Sequence, residues 1–132
     1  MPSDAQVSLS KARIKIAEER IGFAKEILKI GDYKTVANRS YYAVFAAMRA
    51  VLALSGFDSK KHSGIIAEFR KAYLKTEILP QELSLTIDSL VEIRQGSDYD
   101  DFYLIGKEEV EEQLRNAENF VKIIGNYLKT QY

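Results

Sequence analysis

The stretch EEVEEQLRNAENFVKIIGNYL, residues 108–128, decides the fold class. Val110, Leu114, Ala117, Val121, Ile124 and Leu128 follow one another in steps of four and three, so they line one side of a helix and leave the charged residues on the other. Working back from it, Gly106 separates this helix from Gly96–Tyr103, a segment rich in turn formers and aromatics that reads as an ordered loop. A fourth helix precedes that loop. Pro80 stands in its first turn and Glu82 near its positive end, Leu83, Ile87, Leu90 and Val91 follow, and Gly96 stops it. A shorter helix leaves the basic link Asp58-Ser59-Lys60-Lys61, carries Ile65 or Ile66, Phe69, Ala72 and Tyr73, and ends near Thr76.

Two helices open the chain. Ile14, Ala17, Ile21, Ala24 and Leu28 mark the first, from about Ser10 to Ile30, and Gly31-Asp32 supplies its stop and the next N-cap. The second runs to about Leu54 with Tyr41, Phe45, Met48 and Leu52 on one face, and Ser55-Gly56 closes it. Nothing alternates as a strand pair. The expected fold is all-α: an antiparallel helical bundle of four long helices plus one shorter one, a single domain over 1–132 with its core from about 8 to 130.

Composition narrows the chemistry. With 46% hydrophobic and 29% charged residues the chain can bury a core of its own. It has no cysteine, which excludes disulfides, thiolate metal sites and a thiol nucleophile. The start of the chain is polar and no run approaches the roughly 20 apolar residues of a membrane span, so the cytoplasm is the expected location. Formal charge is zero, yet residues 1–80 hold 14 Lys/Arg against 8 Asp/Glu and residues 81–132 hold 5 against 11. A basic half suits phosphates; the halves could equally face each other within one bundle, or pair two copies head to tail.

Several polar residues stand where a bundle favours apolar ones. Arg39, Tyr42, Ala46 and Arg49 share one side of the second helix, and an arginine buried there would need a carboxylate or a bound phosphate opposite. His62, the one histidine, opens the third helix behind Lys60 and Lys61, a position favourable to anions or simply a cap. Arg94 lies five residues before Tyr99 and could pair with Asp98, Asp100 or Asp101. The acidic cluster fails as a calcium loop, because Phe102 and Tyr103 occupy a ligand position and the turn glycine. No Walker loop, dinucleotide glycine pattern or nucleophile elbow occurs, and one histidine without cysteine argues against zinc. Neither metal nor cofactor is expected.

Together, Asn38-Arg39-Ser40-Tyr41-Tyr42-Ala43-Val44-Phe45, Lys61-His62-Ser63-Gly64 and Arg94-x-x-x-Asp98-Tyr99 resemble the HEPN domain family, over roughly residues 8 to 130. The resemblance implies a bundle of four to five helices, often a homodimer, frequently paired with a small nucleotidyltransferase in toxin–antitoxin or defence systems. Many members are metal-independent ribonucleases that use an arginine and, four to six residues later, a histidine. Arg94 takes the arginine's place, whereas Tyr99 stands where the histidine belongs. A phenol that titrates near 10 is a poor base at neutral pH, though it can donate a hydrogen bond or stack on a base.

The site expected from these residues binds a nucleotide or RNA phosphate: Arg39, Tyr42, Lys61 and Asp98 for binding, and Arg94, His62 and Tyr99 for any catalysis. Two alternatives stand beside it. One is an active metal-independent ribonuclease toxin in which His62 moves the proton, and the other a non-catalytic module that holds a nucleotidyltransferase.

Overall fold

The computed structural model describes residues 1–99 and 105–132, with side chains for 1–96 and 105–132. Five helices account for the described secondary structure: α1 (Asp4–Ile30), α2 (Tyr33–Ala53), α3 (His62–Phe69), α4 (Leu83–Tyr99) and α5 (Lys107–Lys129). A π-helical turn, Arg70–Leu74, extends α3. The chain is therefore the expected all-α bundle, with α3 as its short member.

Helix α2 is the centre of the bundle. It packs along α1, to which a two-residue turn joins it, and against α3, α4 and α5. Gly31 ends α1 at φ 88°, a left-handed turn that glycine adopts without strain, and Asp32 caps α2 by accepting from the Thr35 amide at 3.3 Å and its hydroxyl at 2.6 Å. Val36, Val44, Met48 and Leu52 are fully buried on α2. Ser40, buried among them, satisfies its hydroxyl by donating to the Val36 carbonyl at 2.8 Å. The whole α5 stripe of Val110, Leu114, Ala117, Val121, Ile124 and Leu128 is buried as its spacing predicts, joined by Phe120. Phe120 meets Phe69 of α3 with ring centroids 5.7 Å apart.

Two boundaries differ from the sequence reading. Helix α1 begins at Asp4, not near Ser10, because Ser3 and Gln6 form a reciprocal capping box that starts the helix in the polar N-terminus. Helix α4 does not stop at Gly96 but runs through to Tyr99. A glycine inside a helix costs only about 1 kcal/mol relative to alanine, and Gly96 is not among the positive-φ glycines. The loop expected at Gly96–Tyr103 is thus helical in its first half, and its remainder, from Asp100, lies outside the described residues.

The two oppositely charged halves meet inside the bundle. Lys25 of α1 pairs with Glu118 of α5, and Arg70 with Asp88 of α4 at 2.5 Å. Exposed pairs contribute about 0.2–1 kcal/mol each, so they set register more than stability. Burial of the aromatic and aliphatic faces carries the fold. Replacing Phe120 by alanine, which empties the α3–α5 contact, is expected to lower unfolding free energy by about 3–5 kcal/mol in urea denaturation followed by circular dichroism.

Candidate functional site

Three helices bring polar groups to one rim of the bundle. Helix α2 supplies Tyr41, Tyr42, Phe45 and Arg49, α3 supplies His62, and α4 supplies Arg94. The Arg94 guanidinium lies over the Tyr41 ring at 4.8 Å and the Tyr42 ring at 5.6 Å from the centroids, and its Nη2 donates to Tyr42 Oη at 3.3 Å. The two rings stand edge to face, 5.1 Å apart, so they form a corner that cradles the cation.

His62 closes the other side of the corner. Its Nδ1 lies 2.9 Å from Tyr41 Oη, and its ring packs on Phe45 at a centroid distance of 4.1 Å. The loop before α3 fixes this placement. Asp58 accepts from Arg49 with both oxygens at 3.3 Å, pairs with Arg13 of α1 at 3.5 Å, and accepts the Ser59 amide at 2.8 Å. Those donors, the Ser59 amide first, hold the Asp58 carboxyl below its ordinary range. Ser59 in turn packs so tightly on α3 that a Cβ at Gly64 would sit 2.5 Å from its Oγ. The glycine of the Lys-His-Ser-Gly stretch is therefore a close-approach residue, which lets the first turn of α3 lie against the loop.

Burial, then the positive charges of Arg94 and Arg49, push His62 below the 6.5 of a free histidine. The ring is accordingly neutral at pH 7. If Nδ1 carries the hydrogen and donates it to Tyr41, Nε2 is left as a proton acceptor; in the other tautomer Tyr41 donates and Nε2 is a donor.

The expected site residues are thus only partly together. Arg94, His62 and Tyr42 converge. Lys61 is exposed at the α3 N-cap beside His62. Arg39 is exposed on α2, so the burial penalty that demands a counter-charge does not apply to it; the arginine of that side that does meet a carboxylate is Arg49, and the carboxylate is Asp58. Arg39 lines a separate depression with Ile16, Glu19, Arg20 and Phe23. The link between the two areas is Arg20 of α1, whose guanidinium lies 5.8 Å from the Tyr42 ring centroid. Sequence reading passes over Arg20, because one arginine on an amphipathic helix looks like solvated surface. Asp98 and Tyr99 lie in the last turn of α4, but their side chains fall outside the described residues, as does the pairing of Arg94 with Asp98, Asp100 or Asp101. Among the described residues no cluster of acidic residues and histidine could hold a metal ion, and no helix is long and apolar enough to cross a membrane.

Comparison with known proteins places this arrangement. The family model described as HEPN domain matches residues 10–127. The chain is 33% identical to a UPF0332 protein of Thermotoga maritima, over 82% of each chain. It is 32% identical to the Methanocaldococcus jannaschii protein named "Putative toxin MJ0142", over 87% of this chain and 78% of that one. The crystal structure of TT1696 from Thermus thermophilus superposes with a TM-score of 0.74, covering 89% of this chain and 97% of that one, at 19% identity.

The depressed His62 value has a sign that can be checked. The unfolded chain takes up this proton at a higher pH than the folded one, so the stability it contributes is complete above 6.5 and is lost as pH falls through the lower folded value. Proton NMR of the single histidine is expected to show a midpoint below 6.5, and Arg49→Gln, which removes a nearby positive charge, to move it upward.

Proposed function

We propose, since this chain belongs to the HEPN domain family, that it is the toxin-type member of a pair and binds the phosphate of a nucleotide or of RNA at the Tyr41–Tyr42–His62–Arg94 corner. One observation carries the reading: a guanidinium from α4 is held on two tyrosine rings of α2, beside a histidine from α3. Stacking restrains the guanidinium, and a fixed fork of N–H donors is the geometry that recognises phosphate oxygens. Tyr42 offers an aromatic face for a base. Lys60, Lys61 and Arg39 extend the positive field on either side, so an anion is drawn toward the corner from solvent. Relatives whose names include the word toxin favour a role in a toxin–antitoxin or defence pair, with a nucleotidyltransferase as protein partner and a homodimer as the working form.

A second reading rests on His62. A histidine kept neutral at pH 7, with one nitrogen engaged by Tyr41, can take a proton from a ribose hydroxyl at the other nitrogen. That is the proton transfer a metal-independent ribonuclease needs and that Tyr99, titrating near 10 when unperturbed, is ill suited to supply.

One experiment separates the readings. Purified protein is incubated with total RNA in EDTA and, in parallel, titrated with a short fluorescent RNA. Binding without cleavage, weakened at least about tenfold by Arg94→Ala, which removes charge-assisted hydrogen bonds of about 1.5–3 kcal/mol, supports the phosphate-binding reading. Cleavage abolished by His62→Ala supports the ribonuclease. Neither binding nor cleavage removes both, leaving a module that holds a nucleotidyltransferase.

A further inference from the structure

Helix α1 carries a second pattern that its buried face does not explain. Leu9, Ile16, Phe23 and Ile30 repeat every seven residues and are 44%, 40%, 60% and 81% exposed. At 1.5 Å per residue this line of large apolar side chains extends about 32 Å along the outside of the bundle. A seven-residue repeat drifts by about 20° per heptad on a straight helix, so the line wraps around α1 with the left-handed sense that another helix follows at a shallow crossing. Isolated exposed apolar residues are ordinary, whereas a continuous stripe marks a contact surface.

The charges beside the stripe say what covers it. At its midpoint, between Ile16 and Phe23, stand Glu19 and Arg20. Neither has an ion-pair partner among the described residues, and Arg20 Nε is shielded from solvent without a hydrogen-bond acceptor among them. Two copies of α1 laid antiparallel about a two-fold axis between positions 19 and 20 would set Ile16 against Phe23 of the partner subunit, and Glu19 against Arg20 of the partner subunit. A parallel pair would instead oppose like charges. A surface that answers its own apolar and charged groups under a two-fold rotation fits an isologous contact. The stripe is flanked by Lys11, Lys15, Glu18 and Glu26, a mixture of signs unlike the uniformly basic flanks of a membrane-surface helix.

We infer that the outer face of α1 is the contact surface for a second copy of this chain, in an antiparallel pair centred on Glu19 and Arg20. The inference goes beyond phosphate binding and does not need it. Its bearing on the site is direct, because Arg20 also lies over the Tyr42 ring. The pair would carry two copies of the tyrosine corner to either side of the axis, and Glu19 of the partner subunit would neutralise the arginine behind each.

The test uses the full chain. Sedimentation equilibrium should give twice the 15.0 kDa chain mass, falling to the chain mass for Phe23→Glu with the helical circular dichroism unchanged. Because the chain lacks cysteine, introduced thiols report geometry cleanly. Ile16→Cys and Phe23→Cys proteins, mixed and mildly oxidised, should cross-link to each other far more than either does to itself. A monomeric wild type, a Phe23→Glu variant that stays dimeric, or cross-linking chiefly between identical positions would each overturn the inference. RNA binding by a monomeric wild type would sink this surface alone and leave the phosphate-binding reading standing.

Discussion

Helix α2 has almost no solvent side. Of its 21 residues 13 are buried, and a polar group on such a helix must find its partner inside the protein or lose hydration without return. The consequences reach every neighbouring element. Tyr41 meets a partner where α3 begins, at His62; Tyr42 where α4 passes, at Arg94; and Arg49 where the α2–α3 loop turns, at Asp58. The polar partners of one buried helix thus fix where three other segments can lie. The same contacts gather cations and aromatic rings at one rim.

That dependence separates what the sequence makes legible from what it hides. The α5 stripe declares itself because burial of one face requires a period close to 3.6, and the period is visible in any window of a few turns. Gly31-Asp32 is equally legible, since a left-handed stop and an amide-accepting cap are local requirements. Gly96 misleads for the same reason: a glycine signals a stop only when the backbone turns left-handed there, and tertiary packing can carry a helix through it at small cost. The start of α1 is open to reading as well, since Ser3 and Gln6 have capping-box spacing.

The site is legible as residue types and not as an arrangement. Sequence places Arg39 and Arg49 on one side of α2 and asks for a counter-charge, but which arginine is exposed depends on where α1 and the α2–α3 loop pack. Arg20 cannot be singled out, because its significance lies in its distance from Tyr42, a contact between helices. Gly64 shows the same limit from the other direction. Its role follows from Ser59, five residues earlier, folding back onto α3, and no local pattern predicts that approach.

The electrostatics of the rim follow from how its charges are shared. Asp58 serves both Arg13 and Arg49, and burial lowers Arg13, with Arg49 repelling it further. One carboxylate therefore answers two guanidinium groups, while Arg94 rests on rings whose π-faces stabilise a cation without cancelling its charge. His62 responds by staying neutral. An environment that discourages a further positive charge on a histidine is one that favours a negative charge beside it, since the same field acts on both with opposite sign. The depressed histidine and the affinity proposed for phosphate are in this sense one property of the rim, produced by the arginines gathered around a helix that water hardly reaches.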